Sequence, residues 1–337
     1  MTHNYEVVKT SYIRKEIMDY NKNLRNKHKW LKYQNTIGLG VLLLFIAFFI
    51  TSSTLFVYGY LSWWACLLLN TFFISIVHEI EHDLIHNLYF RNNKTIHNLM
   101  MLTVWLVRPS SANPWMRRKL HLDHHKTSGT PEDMEERIVA NGTQWGLLRF
   151  FLSIDLTLSL IKLAFELRSS TNKGQLIKLG LKSFLPVTLL TWMLWYCFLI
   201  FNAIDLFFNL SGSPILWSEA QLAFIHYLNM ATVILIGPNI LWSFCLHFIT
   251  SNIHYYGDID GKNMIQQTQV FNSIWFLPLN LFSANFGSTH SIHHFVVNEP
   301  FYIRQMSARV AHNVMKENGV RFNDFGTFRR SNRWSKK

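Results

Sequence analysis

Three histidine clusters have the spacing from which chemistry can be read. The first is His78-Glu79-Ile80-Glu81-His82, with His86 four residues further on. The second is His121-Leu122-Asp123-His124-His125, and the third is His290-Ser291-Ile292-His293-His294. On a helix, residues three and four apart share a face, so each cluster projects its imidazoles one way. Imidazoles in register at the end of an apolar helix are unfavourable unless something binds them, and a metal ion is the natural occupant. His78, His82 and the two H-x-x-H-H boxes supply eight imidazoles. One ion cannot use eight, whereas two ions with four or five ligands each can. Neutral imidazole suits iron, zinc, copper and nickel alike, so ligand type alone does not name the metal. A fourth element, Asn252-Ile253-His254-Tyr255-Tyr256-Gly257-Asp258, offers His254 as a ninth ligand and Asn252 as a partner for a metal-bound water. His247 lies seven residues before His254, hence on about the same face, and is an alternative ligand or a donor to one. His86 is either a further ligand or a polar residue just past the helix end.

Other readings compete. His78-Glu79-Ile80-Glu81-His82 also matches H-E-x-x-H, the zinc protease motif, in which Glu79 is the general base. An intramembrane protease leaves both H-x-x-H-H boxes without a task. A metal transporter places polar groups at mid-membrane, whereas these histidines stand at the ends of apolar runs. His97, His226 and His312 stand alone and read as structural. The acidic run Glu132-Asp133-Met134-Glu135-Glu136, after Pro131, reads as a surface loop and helix start.

The elements that must position these clusters are apolar helices. Of 337 residues, 49% are hydrophobic and only 15% charged, the balance of an integral membrane protein. Spans are predicted over Ile37–Val57, Leu61–Val77, Ser183–Phe208 and Leu222–His247, the last kinked at Gly237-Pro238. Trp63 and Trp64 suit the headgroup level. Leu99–Val107 is too short to span and is read as re-entrant, interfacial or buried, and Arg149–Leu167 as an interfacial helix. All 32 Lys and Arg fall before Ile37, between Arg91 and Lys182, or from Lys262 onward. Two helical hairpins give that pattern under the positive-inside rule, with both termini and every cluster on the cytoplasmic side. The first 36 residues carry eight of these cations and read as a basic amphipathic helix on an anionic membrane face or as a solvated arm. They hold no apolar stretch near the start, so no secretory leader is expected. Cys66, Cys197 and Cys245 read as small buried hydrophobes. The net charge of +12 comes without zinc-finger, RNP-like or basic-heptad signatures, which argues against nucleic acid.

The boxes, in this order and separated by these spans, resemble the membrane fatty acid desaturase/hydroxylase superfamily over roughly Ile37 to Glu299. The resemblance implies an all-α integral membrane fold: four transmembrane helices and a cytosolic helical cap holding a histidine-rich dimetal site. On that basis the chain divides into a basic segment 1–36, a membrane domain 37–299 and a basic tail 300–337. The resemblance also implies two non-heme iron ions that activate O2 against an unactivated C–H bond of a fatty acyl chain. The ligands carried over are His78, His82, His121, His124, His125, His254, His290, His293 and His294. Glu79, Glu81 and Asp123 would accept hydrogen bonds from ligand imidazoles. The Asn252-x-His254 spacing departs from the Asn-x-x-x-His of stearoyl-CoA-type desaturases and is closer to the element of membrane alkane hydroxylases. Desaturation is the leading expectation, with hydroxylation or decarboxylation to a terminal alkene beside it. Trp195, Trp242 and Phe244 are candidates to line a dry acyl channel. No cytochrome b5 motif and no G-x-G-x-x-G after a strand is found, so an external donor such as a ferredoxin or cytochrome b5 is expected.

Overall fold

A computed structural model describes residues 2–130, 132–139, 143–167, 173–254 and 263–330. Pro131, Tyr255–Asp258, Lys262 and the end of the basic tail, about which the sequence raised expectations, lie outside the described residues. The fold is helical, with a single pair of two-residue strands among the described residues, Gln269–Val270 beside Arg321–Phe322 in parallel.

Among the described residues, four helices are long and apolar enough to cross a membrane. They are α2 (Gln34–Val57), α3 (Trp63–Ile85), α10 (Val187–Leu210), and a 35-residue helix over Glu219–Ile253. At 1.5 Å per residue, even a 23-residue helix reaches about 35 Å, more than the ~30 Å hydrocarbon core. The 35-residue helix runs as α11 (Glu219–Ala231), one π turn (Thr232–Ile236) and α12 (Gly237–Ile253). The irregularity expected at Gly237-Pro238 is thus a π turn just before it. A side chain at Gly237 would meet Thr232 O at 2.8 Å and Leu67 Cδ1 at 3.2 Å, so glycine lets this helix press against α3. Trp63 and Trp64 are exposed, as side chains facing lipid should be.

The helices between and after the spans form the cap: α4 (Lys94–Val107), α5 (Pro114–Thr127), α6 (Met134–Ile138), α7 (Leu147–Ile154), α8 (Leu156–Leu167) and α9 (Lys173–Phe184). Beyond α12 come α13 (Met264–Gln267), α14 (Leu277–Leu281), α15 (Phe286–Phe295) and α16 (Phe301–Glu317). Asn113 caps α5 by accepting from Met116 N at 2.9 Å, and Pro114 follows at the first helical position, where its missing N–H costs nothing. α4 has 14 residues and buries Met100, Met101 and Val104 against α2 and α3, while Leu99, Leu102 and Leu106 on its other side are exposed. The stretch read as one interfacial helix breaks at Asp155 into α7 and α8. Within it Arg149 is fully buried and donates to Ser251 O at 2.7 Å.

The N-terminal helix α1 (Thr2–Lys27) differs from both readings of the basic segment. Ile13 and Ile17 are buried with Phe295, Val296 and Met315, so its apolar face is covered by protein. Arg14 donates to Phe295 O at 3.0 Å and Arg25 pairs with Glu299, tying α1 to the end of α15 and the start of α16. Cys66 and Cys245 are buried as expected, whereas Cys197 is exposed on α10.

Candidate metal centre

α3, α5, α12 and α15 end at one place, and their histidines meet there. Among the described residues, two groups have ligand atoms close enough to share an ion: His82, His86, His121 and His293, and then His124, His254, His290 and His294. His125 joins the first, its Nε2 lying 3.3 Å from that of His86, 3.2 Å from that of His121 and 3.0 Å from that of His293. In the same group His86 Nε2 is 3.0 Å from the Nε2 of both His121 and His293. In the second group His290 Nε2 lies 3.2 Å from those of His254 and His294. Nitrogens bound to one ion at ~2.1 Å are ~3.0 Å apart at right angles and ~3.4 Å apart in a tetrahedron. The observed separations fall in that interval.

Two carboxylates fix the tautomers. His121 Nδ1 donates to Glu135 Oε2 at 2.7 Å and His124 Nδ1 to Asp133 Oδ2 at 2.8 Å. With the proton on Nδ1, the Nε2 of neutral His121 presents a bare lone pair to its neighbours, and that of His124 does so once a metal displaces its proton. His86 Nε2 faces the Nε2 atoms of His121, His125 and His293 at 3.0–3.3 Å and has at most one proton to share among them, so the remaining lone pairs are best met by a cation between them. His82 makes the point separately: both of its ring nitrogens are buried without a hydrogen-bond partner among the described residues. Such a donor set fits a bound transition-metal ion in each group.

Burial first, then the positive charge shared among neighbouring imidazoles and Arg304, pushes His86 down to about 2 and His293 well below the usual imidazole range. Burial and their imidazole neighbours also push His290 and His294 well down. These rings are therefore neutral, the state in which imidazole binds a metal. His124 goes the other way: burial pulls it down, but Asp133 at its Nδ1, with Glu135 and Glu136 nearby, lifts it to about 9. The same field that would hold a proton at this ring favours a metal cation on it.

Several expected residues lie elsewhere. His78 falls outside both groups; its Nε2 accepts from Arg117 Nη2 at 2.9 Å and its ring packs against Trp242. His86, one turn past His82, stands where His78 was expected. Glu79 Oε2 accepts from Arg304 at 3.1 Å, and its Oε1 has no hydrogen-bond partner among the described residues and lies 3.6 Å from Nδ1 of His78, which belongs to neither group. Glu81 pairs with Arg108 and Arg117. Asp123 is exposed and pairs with Lys126 at 3.0 Å, because it projects from the opposite side of α5 to the buried His121 and His124. Asn252 turns to Trp145, accepting from its Nε1 at 3.1 Å, while its main-chain carbonyl is held by Gln269 Nε2 at 2.7 Å. His247 lines a cavity beside the centre but joins neither group. Trp242 lines that cavity as well, and Trp195 and Phe244 do not. His97 bridges Tyr89 O and Arg118, His312 faces Ser288 O at 2.7 Å, and His226 is exposed.

The acidic run read as surface supplies what was missed, since Asp133 and Glu136 are buried. The chain leaves α5, turns at Gly129 with φ 82°, and returns as α6 against α5. That return brings Asp133 and Glu135 to His124 and His121. Glu136 accepts from Thr250 at 3.2 Å and lies 3.6 Å from His254 Nε2.

Membrane-length helices that converge on buried imidazole groups define a membrane protein equipped to hold metal. Residues 58–326 match the family described as fatty acid desaturase, and the chain belongs to that family of oxidoreductases. No curated protein and no solved structure gives a match.

Proposed function

We propose that the protein oxidises an unactivated C–H bond of a fatty acyl chain with O2 at a di-iron centre, most simply by desaturation. The observation that carries this reading is the spacing of the Nε2 atoms in two adjoining imidazole groups, taken with family membership. His82, His86, His121, His125 and His293 would hold one iron and His124, His254, His290 and His294 the other. The irons, when bound, supply O2 activation with electrons delivered from outside. Asp133 and Glu135 hold the Nδ1 protons of His124 and His121 and so keep their Nε2 atoms available. The surrounding cavity, with Trp242, Leu246 and Phe286 in its wall, keeps bulk water from the acyl chain.

α1 and α16 pack on α15, so both end segments share the centre's side of the bundle. The positive-inside rule assigns that side to the cytoplasm, where a ferredoxin or cytochrome b5-type donor would dock on a chain of net charge +12. The test is to purify the full chain in detergent, measure its metal content, and supply a reductase system, O2 and labelled fatty substrates. Iron at two ions per chain and a donor-dependent product lacking two hydrogens support the proposal. An alcohol or a chain one carbon shorter would move it to hydroxylation or decarboxylation. Zinc alone with no oxidised product would end it.

A further inference from the structure

Beside the centre lies a cavity of about 120 Å³ that touches both imidazole groups through His82, His121, His124 and His290. The same wall carries two guanidinium groups. Arg108 follows α4 directly, and Arg117 lies one turn before His121 on α5, roughly 6 Å along the helix. Arg108 is fully buried, with its guanidinium stacked 4.0 Å over Trp242.

The two cations share one carboxylate. Arg108 contacts Glu81 Oε2, and Arg117 Nη1 lies 3.0 Å from the same oxygen. Arg108 Nε and Nη2 have no hydrogen-bond partner among the described residues, although both are buried. Of the neighbouring acids, Asp83 is held by Arg304, Glu135 by His121 and Glu136 by Thr250, while Glu79 meets Arg304 through Oε2 alone and its Oε1 has no hydrogen-bond partner among the described residues. Burial, and after it the charge of Arg117, pushes the Arg108 pKa well down, with Glu79 pulling the other way. A buried cation with unmet donors is strongly unfavourable unless an anion completes it.

We propose that Arg108 and Arg117 bind the carboxylate of a free fatty acid, whose chain then runs past the imidazole groups. The proposal rests on reading the centre as one that oxidises acyl chains. The chemistry of the wall favours this ligand. The guanidinium fork matches a carboxylate. The rest of the wall includes Leu156, Phe184, Leu246 and Phe286, which suit an alkyl chain rather than a free inorganic anion. With Arg117 one turn from His121, the carbons nearest the carboxyl group face the centre. Oxidation then falls near the head of the acid and not at mid-chain.

Equilibrium binding of a radiolabelled long-chain free acid, its methyl ester and acetate to the full chain in detergent tests this. It is read on metal-free and iron-loaded protein, so the result is independent of turnover. The free acid is expected to bind at least tenfold more tightly than its ester, in both metal states, and acetate weakly. Arg117→Gln should abolish that preference while ester binding, which reports an intact cavity, is retained. Arg108→Lys, which keeps the charge but loses the fork, should weaken it. Equal affinity for acid and ester in the wild type overturns the proposal, and that comparison stands even if a variant fails to fold. A preference that survives Arg117→Gln, or that exists only with iron bound, overturns it as well. Failure of the di-iron reading would appear separately, as absence of iron in a protein that still binds the acid.

Discussion

Replacing Asp133 by asparagine isolates the contribution of charge behind the metal ligands. Asp133 is fully buried and has two tasks. Its Oδ2 accepts from His124 Nδ1 at 2.8 Å, and its Oδ1 caps α6 by accepting from Glu136 N at 3.3 Å. Asparagine is as good a helix cap as aspartate, so α6 should survive Asp133→Asn. A carbonyl oxygen can also still accept from Nδ1, so the ring keeps its orientation. What is lost is the negative charge that strengthens His124 as a ligand. Outer partners of this kind are worth about 10–100-fold in metal affinity, or ~1.4–2.8 kcal/mol at ~1.4 per tenfold. Competition with a chelator of known affinity, followed by metal analysis, reads that loss directly. Thermal unfolding of the metal-free variant should stay near wild type. Substitution of the exposed neighbour Glu132→Gln controls for the loss of one negative charge on this loop and should leave affinity unchanged. An Asp133→Asn protein that holds metal within about twofold of wild type would show that the carboxylate does not tune the site.

Other substitutions test the remaining geometry. His86→Ala should lose about half of the bound metal under mild chelation and His78→Gln none, since only His86 belongs to an imidazole group; the reverse pattern in metal analysis would refute the assignment. Ile13→Ala should lower stability by ~2–5 kcal/mol in denaturant titration, as a buried core truncation does, whereas a lipid-facing α1 would give a change within ~0.5. Gly287→Ala places a methyl group 2.5 Å from Phe271 O and 2.7 Å from Asn280 Oδ1, at the first turn of the helix that carries the third box. It should cost ~1–3 kcal/mol and reduce metal retention together, and an unaltered melting temperature would count against the packing described.

The spans were legible because an apolar run of that length has few alternatives in a chain of this composition, and the boxes because histidine at helical spacing has few uses. Choosing His86 over His78 was not legible. Both lie one turn from His82, and periodicity cannot say which end of the stripe meets the other boxes. The depth of each along α3 decides it: His78 sits a turn inside, against Trp242, while His86 caps the helix where α5 and α15 arrive. Nor was the burial of Asp133 and Glu136. A run of acids after a proline has the composition of a solvated loop, and only the reversal at Gly129 turns it inward. For α1 the amphipathic pattern was visible, but a sequence pattern cannot say whether lipid or protein covers the apolar face.

One geometric fact explains why acids adjacent to the first-box histidines take no part in the centre. Successive residues on an α-helix are turned by ~100°, so Glu79 and Asp83 face away from the direction in which His78 and His82 project. That second face of α3 meets α16. Arg304 Nη2 lies 3.1 Å from Glu79 and 3.1 Å from Asp83, Tyr89 donates to Asp83 at 2.7 Å, and Phe301 N donates to it at 2.9 Å. The acids of the box therefore anchor the helix that follows the third box, and so fix the third box against the first. An H-E-x-x-H pattern in which the glutamate does this work cannot also use it as a base at the metal. It leaves a donor set of imidazoles alone, with negative charge held one hydrogen bond further out by Asp133 and Glu135. In such a centre the ligands contribute no charge of their own. The electrostatic stabilisation of any bound ion then depends on the α5–α6 turn that brings those two carboxylates back.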